Sequence, residues 1–439
     1  MPQQHQVFDL IKREEQRQTE MIGLIPSENH SSEAVRAVLS SCLSSKYAEG
    51  YPNRRYYEGN QIIDEIELLA QARLKKLFGV PHVNVQPYSG SPANSAVEFA
   101  LLEPGETVLG LALSGGGHLT HGHPRVTFSG RYFNSVQYEL GEDARIDYDR
   151  VRALALQHRP KLIIAGTTAY PFVLDFAKFA AIADEVGAYL LADISHITGL
   201  VIAGQHPSPV PHAHVIMSTT HKTFRGPRGA MIMVTQRGLE KDPSLAKKID
   251  QAVFPALQGG PHNERTAAIA IAAEEASLPS FQVYGQQIIT NAQALARGLK
   301  AAGLKLVGDG TDNHLMLLDL TPFGEGFGTQ VAFALDVAGI YANRNTIPNE
   351  PCSPFYPSGL RIGTPLVTTR GMKETEMTKI AQWIARVIDQ IKTEQLPADK
   401  VQRGAFLKDF KQRARKDQVL LSIREEVKEL ASQFPLFAG

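Results

Sequence analysis

The chain has 439 residues, with 45 Lys plus Arg against 45 Asp plus Glu, and 43% of its residues are apolar. That length can bury a large core and allows about two or three domains. The balanced charge gives no global field for nucleic acid or an anionic membrane, so any basic site has to be local. Apolar runs such as Leu162-Ile163-Ile164 and Tyr189-Leu190-Leu191 fall far short of a membrane span, and the polar stretch from Met1 to Gln18 has no signal-like apolar region. Cys42 and Cys352 form no metal or redox motif and read as reduced thiols of a cytoplasmic protein.

Residues 1–45 read as an N-terminal arm, with a weak amphipathic helix followed by Ser, Pro and Asn punctuation. Ile62, Ile66, Leu69, Ala70, Leu74 and Leu77 then fall at helical spacing, and Gly79 supplies a stop. Short β-rich runs alternate with helical patterns after that: Val83-Asn84-Val85 before a helix at 92–102, and Lys161 to Ala165 before a helix at 176–186. Tyr189 to Ile194, His214 to Met217 and Ala230 to Val234 read as further buried strands. This alternation predicts an α/β large domain over 46–285, with a mostly parallel sheet covered by helices. A long helix through Asn291, Ala294, Leu295 and Leu299 leads to a smaller α+β domain over 286–439. There Leu315 to Leu320 and Leu360 to Ile362 read as strands, and Thr375 to Ile391 as an amphipathic helix.

Lys222 ends a segment in which the apolar run Val215-Ile216-Met217 is followed by hydroxyls, His221 and a rigid Gly226-Pro227 turn. A lysine near apolar surface and fixed dipoles loses its charge readily, and a neutral amine there can form a Schiff base with an aldehyde cofactor. Ser89-Gly90-Ser91-Pro92 has the small residues of a phosphate cup, with Ser91 as a cap and Pro92 in the first helical turn; on its own it also reads as a plain helix start. His118, His121 and His123 crowd together, but Gly and Pro surround them and no acidic ligand sits at helical spacing, so no metal is expected.

These segments share one register with a known family. Leu24-Ile25-Pro26-Ser27-Glu28-Asn29, Lys46-Tyr47-Ala48-Glu49-Gly50-Tyr51-Pro52, Asn84 to Ser91, His118 to Gly122, the Lys222 segment, Gln258 to Asn263, Thr311 to His314 and Gly359 to Pro365 resemble serine hydroxymethyltransferase. The resemblance covers nearly the whole chain and implies the type I fold of pyridoxal 5′-phosphate (PLP) enzymes, with a seven-stranded-type sheet and a smaller C-terminal α+β domain. It implies a homodimer, or a tetramer, with active sites at the subunit interface.

The implied reaction converts L-serine and tetrahydrofolate to glycine and 5,10-methylenetetrahydrofolate, through a PLP Schiff base on Lys222. Asp193 would partner the ring nitrogen, His118 would stack on the ring, and His196 would support it near O3′. Ser89, Gly90 and Ser91 would hold the phosphate, with Tyr47 and Gly260 from the other subunit. Thr168, Thr219 and His221 complete the implied cofactor set. Arg361 would fork the substrate carboxylate, helped by Ser27 and the neighbour's Tyr57. Glu49, in a turn-rich segment, would manage a proton on the serine hydroxyl or on folate, with Tyr56 beside it. Leu113, Gly117, Leu119, Tyr56, Asn345 and Ser353 are the implied folate contacts.

The match departs from the family pattern at Glu58, where Gly is usual, at Gly115 and Glu264, where His is common, and at Tyr356-Pro357, where Val-Thr is common. No departure removes a PLP anchor. They bear on folate affinity and amino-acid preference, and leave open a folate-independent aldolase for threonine-like β-hydroxy amino acids, or an α-methylserine hydroxymethyltransferase. A non-catalytic or RNA-binding relative is disfavoured by the presence of Lys222 and Arg361 and by the lack of a basic tract.

Overall fold

Five-residue strands buried at every position lie within the larger of two compact units. The computed structural model of the chain describes residues 5–437. Of these, Ser31–Gln286 forms one compact unit, and the residues up to His30 with those from Gln287 onward form the other. The sequence places an arm over 1–45; within that stretch the chain passes from one unit to the other after His30.

The Ser31–Gln286 unit holds a seven-stranded sheet. Its order is His82–Asn84, Ala230–Val234, Val215–Thr219, Tyr189–Asp193, Leu162–Gly166, Thr107–Leu111 and Asn134–Tyr138. Ala230–Val234 alone runs antiparallel to the others, because it follows Val215–Thr219 through a short hairpin. Leu162–Gly166, Val215–Thr219 and Ala230–Val234 are buried at every position. Continuous apolar runs of this kind suit a sheet covered on both faces, where alternation would expose a wrong side. The helix Phe176–Val186 has the expected bounds; Asp175 caps its start by accepting from the Lys178 N–H, and Gly187 ends it at φ 75°.

The helix Gln61–Phe78 ends at Gly79 (φ 68°) as expected, but its buried face differs from the one read in the sequence. Ile63, Glu67, Ala70, Leu74 and Phe78 point inward, while Ile62 and Leu69 are 63% and 46% exposed. The reason is Glu67. Its carboxylate is buried against the Arg55 guanidinium at 2.7 Å and accepts from Gln86 Nε2, and that pairing turns its side of the helix to the interior.

The other unit contains a four-stranded antiparallel sheet in the order Lys305–Leu306, Leu315–Asp319, Gly359–Gly363, Asn343–Asn345. The helix Glu374–Ile391 lays Met377, Ile380, Ile384, Val387 and Ile391 into its core. Two C-terminal helices without an expected counterpart, Arg403–Ala414 and Gln418–Ser432, complete the unit. Ile22–Gly23 pairs in parallel with Ile340–Tyr341, which ties the N-terminal segment to it. Arg370 is buried and donates to the carbonyls of Gln18, Thr19 and Met21 at the end of the first helix, and of Ala431 and Phe434 at the end of the last. A cation on the exposed carbonyls of two helix C-termini satisfies both the hydrogen-bond and the dipole requirement. No helix among the described residues is long and apolar enough to cross a membrane.

Two outcomes are expected. Arg370→Met leaves these carbonyls without their donor and should cost on the order of 2–4 kcal/mol in urea unfolding, with the first helix, Gln6–Glu20, becoming the earliest site of proteolysis. His214 is buried, and its Nδ1 accepts from the Leu190 N–H at 2.9 Å, so the folded state holds it neutral. Burial, then the charges of Lys241 and Arg237, push it down to about 4. The unfolded chain takes up this proton as the pH drops below about 6.5, whereas the folded chain does not, so stability is full above that pH and falls toward about pH 4. His214→Asn keeps an acceptor and should remove about 1 kcal/mol of the loss between about pH 6.5 and 5.5.

Candidate active site

Asp193 sits at the end of the strand Tyr189–Asp193 and is buried. Its Oδ2 accepts from His121 Nε2 at 2.8 Å and from Asn94 Nδ2 at 3.0 Å, and its Oδ1 accepts from the Ser195 N–H at 3.0 Å. Burial opposes ionisation here, but the hydrogen bonds from His121, Ser195 and Asn94 hold the carboxyl well below the usual carboxylate range. His121 is itself oriented: its Nδ1 accepts from the His118 N–H at 3.3 Å, which leaves Nε2–H to face Asp193. His118 Nδ1 meets the Thr120 hydroxyl at 2.8 Å, and Thr120 also accepts from Asn94. The three histidines form no metal cluster: no group of His, Cys, Asp and Glu suited to a metal occurs among the described residues.

Asn94 comes from the helix Gly90–Leu101, whose N-cap is Ser89 rather than the expected Ser91; the Ser89 side chain makes no capping hydrogen bond. Gly90 is required by a close approach, since a Cβ there would lie 2.7 Å from Thr219 Cγ2. Thr219 in turn donates its N–H to Ser195 Oγ at 3.0 Å, which links this helix start to the turn after Asp193.

Lys222 lies on the hairpin between Val215–Thr219 and Ala230–Val234, next to the strand that ends in Asp193, where Asp193 pairs with Met217. The hairpin is locked internally. Gly226 N–H bonds Thr220 O at 2.7 Å, Thr220 Oγ1 bonds Pro227 O at 2.6 Å, and Arg225, at φ 62°, donates to Lys222 O at 3.1 Å. Burial, then the charges of Lys222 and Arg228, push His221 down to about 3, so it is neutral beside the lysine. His196 is buried, and its carbonyl accepts from Thr223 Oγ1 at 3.0 Å, one residue past the lysine. Thr168 donates its N–H to Gly116 O at 2.7 Å, and Gly117 donates to Ala112 O at 2.9 Å, so Thr168 and the turn that carries Leu113 and Gly117 form one segment; Leu119 is partly exposed.

Tyr47, Glu49, Tyr56 and Tyr57 form a second group in the same unit. Arg55 shapes it by donating to Ala48 O and Gly50 O, each at 2.8 Å, while pairing with Asp64 and Glu67. Tyr56 N–H bonds Glu49 O at 3.0 Å, and the Tyr47 and Tyr57 rings lie 5.3 Å apart. A Cβ on Gly260 would be 3.4 Å from Tyr47, so Gly260 belongs to this group. The Glu58 carbonyl accepts from Lys46 Nζ at 2.8 Å.

In the other unit, Arg361 lies mid-strand and buried, with Nε donating to Asn343 Oδ1 at 3.1 Å. Burial brings its guanidinium down to about 10. Gly363 N–H bonds Leu24 O at 2.7 Å, which draws the Ser27 segment alongside the end of this strand. Asn345 ends the neighbouring strand, and Ser353 lies in the loop beyond it, accepting from the Tyr356 N–H at 2.9 Å. Sequence reasoning missed the partners of Asp193, namely His121, Asn94 and Ser195. The available signal was the His118-Leu119-Thr120-His121 segment, in which His121 itself was weighed only as a metal ligand.

An open, mostly parallel sheet with one antiparallel strand, a charged Asp193 at a strand end and a lysine on the adjoining hairpin define a type I PLP-enzyme fold. The profile of the serine hydroxymethyltransferase family matches residues 1–384, and the chain belongs to that family. It is 54% identical over 430 residues to the serine hydroxymethyltransferase of Acidothermus cellulolyticus, covering 98% of this chain and 95% of that one. It is 57% identical over 390 residues to that of Sorangium cellulosum (89% and 90% covered), and 48% identical over 427 residues to that of Halorhodospira halophila (97% and 95%).

His121→Phe removes the main donor to a buried carboxylate and should destabilise the protein by about 3–5 kcal/mol. His121→Gln retains a donor and should cost clearly less; equal losses in thermal or urea unfolding would contradict the role given to the hydrogen bond.

Proposed function

We propose that the chain interconverts L-serine plus tetrahydrofolate with glycine plus 5,10-methylenetetrahydrofolate, using PLP as cofactor. The observation that carries this reading is Asp193, a buried carboxylate kept ionised by His121, Asn94 and Ser195 at the end of the strand beside the Lys222 hairpin. The residues fit the cofactor: a fixed anion suits a protonated ring nitrogen, the start of the Gly90–Leu101 helix carries no side-chain cap, and Lys222 supplies an amine. When bound, PLP supplies an electron sink for bonds at the amino acid's Cα.

In this reading Lys222 anchors the aldehyde, and Asp193 accepts the hydrogen bond of the ring-nitrogen proton. His118 covers the ring, with Thr168, His196, Thr219 and His221 around it. Ser89, Gly90 and Ser91 hold the phosphate together with the partner's Tyr47 and the partner's Gly260. Arg361 and Ser27 orient the substrate carboxylate, aided by the partner's Tyr57; a buried guanidinium, being poorly hydrated, gains more from such an anion than an exposed one. Glu49 moves the proton of the serine hydroxyl or of folate. Leu113, Gly117, Leu119, Tyr56, Asn345 and Ser353 receive the folate.

A homodimer follows from the same reading, either alone or as half of a tetramer. Tyr47, Tyr56, Tyr57, Ile62, Leu68 and Leu69 form an exposed apolar set on one stretch of chain, with Tyr56 73% exposed, and a second copy is the surface that would cover it. Free Cys42 and Cys352 support a cytoplasmic setting.

The test is glycine formation from L-serine by PLP-loaded protein with and without tetrahydrofolate. Strong dependence on the folate is expected. Folate-independent cleavage of threonine or allo-threonine, with none of serine, would instead indicate an aldolase built on the same PLP site. Arg361→Ala should raise the KM for serine about 100-fold or more with a smaller change in kcat, since it removes a bidentate carboxylate contact; an unchanged KM would refute the carboxylate assignment. Lys222→Ala should fold normally and lose turnover.

A further inference from the structure

Tyr88 directly precedes the proposed phosphate cup Ser89-Gly90-Ser91, yet its side chain serves a different segment. Its hydroxyl donates to Gly260 O at 2.8 Å, and its ring stacks on His262 with centroids 4.4 Å apart and planes 10° from parallel. The connection is doubled through the backbone. Tyr88 N–H donates to Gln258 Oε1 at 3.0 Å, and Gln258 Nε2 donates to Gln86 O at 2.9 Å. The whole 258–262 loop is therefore fastened to the residues on which the cup is built.

The loop also packs against the Tyr47–Glu49 segment. A Cβ on Gly260 would sit 3.4 Å from Tyr47, and one on Gly259 would sit 3.5 Å from Glu49 Oε1. Asn263, which follows the loop, donates to Lys46 O at 2.6 Å. Tyr47, Glu49 and Gly260 thus form one packed block, and Tyr88 joins that block to Ser89. Burial keeps the Tyr88 hydroxyl protonated, as a donor to Gly260 O has to be.

Resting on the proposed PLP dimer, we infer that Tyr88 is a positioning residue acting in trans: it holds Gly260 and Tyr47 where they meet the phosphate of the cofactor bound by the other subunit. Each chain's cup and the block it lends to its partner are then joined through Tyr88, with Gln258 bridging the same two segments. No bond is made or broken by Tyr88, and its effect is on phosphate recognition.

Tyr88→Phe keeps the stack and removes the hydroxyl. It should weaken PLP binding to the apo-dimer about 3- to 10-fold, the worth of one partly buried hydrogen bond. Binding of pyridoxal, which lacks the phosphate, should be unchanged, and that comparison separates positioning from general loosening. Action in trans is read from mixed dimers. A wild-type chain paired with a Lys222→Ala chain retains one lysine-bearing site, and adding Tyr88→Phe to the Lys222→Ala chain should weaken PLP at that wild-type lysine. Equal PLP affinity in the two mixed dimers, or equal loss of PLP and pyridoxal, would overturn the inference while leaving the proposed function intact. Failure of the wild-type protein to bind PLP at all would overturn both.

Discussion

The geometry of the large unit turns on one buried charge. A carboxylate taken out of water survives only if hydrogen bonds replace its hydration, and Asp193 is given three donors from three separate places in the chain. Meeting that demand fixes much else. Asn94 has to come from the first turns of the helix that opens at Ser89, His121 has to present Nε2–H, and the turn after Asp193 has to offer the Ser195 amide. Ser195 then receives the Thr219 amide at the strand end that leads into the Lys222 hairpin. The candidate cofactor anchors are thereby held by the same network that stabilises the charge.

A second constraint of the same kind shapes the segment proposed to reach the partner. Arg55 is buried with Glu67 and Asp64 and donates to two backbone carbonyls of the turn around Glu49. The pair fixes a tight hairpin whose outer side carries exposed tyrosines. Buried polar pairs add little net stability, but they specify one conformation, and a segment that has to fit a second copy benefits from that. The Arg55–Glu67 pair and the Tyr88–Gly260 contact hold the two sides of one block.

Much of this was legible in the sequence where local chemistry decides structure. Short apolar runs gave several of the buried strands, though not Thr107–Leu111, Gly79 gave a helix end, and Gly226-Pro227 gave a turn after Lys222. The polar edge strand Asn134–Tyr138 lacks an apolar run and could not be read that way. The inward face of Gln61–Phe78 was misjudged because a buried Glu67 is explained only by Arg55 and Gln86, and hydrophobic spacing contains neither. His121 and Asn94 are 72 and 99 residues from Asp193, so nothing in their neighbourhoods announces the contact. The motifs named the residues proposed to touch ligands; the residues that hold those in place are set by tertiary pairing.

The central claim is that this charge network and the adjoining hairpin form a PLP site with Lys222 as its amine. The most direct test is to load the purified protein with PLP, reduce it with borohydride and map the modified peptide by mass spectrometry. The account predicts one reduced cofactor per chain, on the peptide that contains Lys222, and greatly diminished labelling in Asp193→Asn. No stable label, or a label on another lysine while Lys222 stays unmodified, would contradict it.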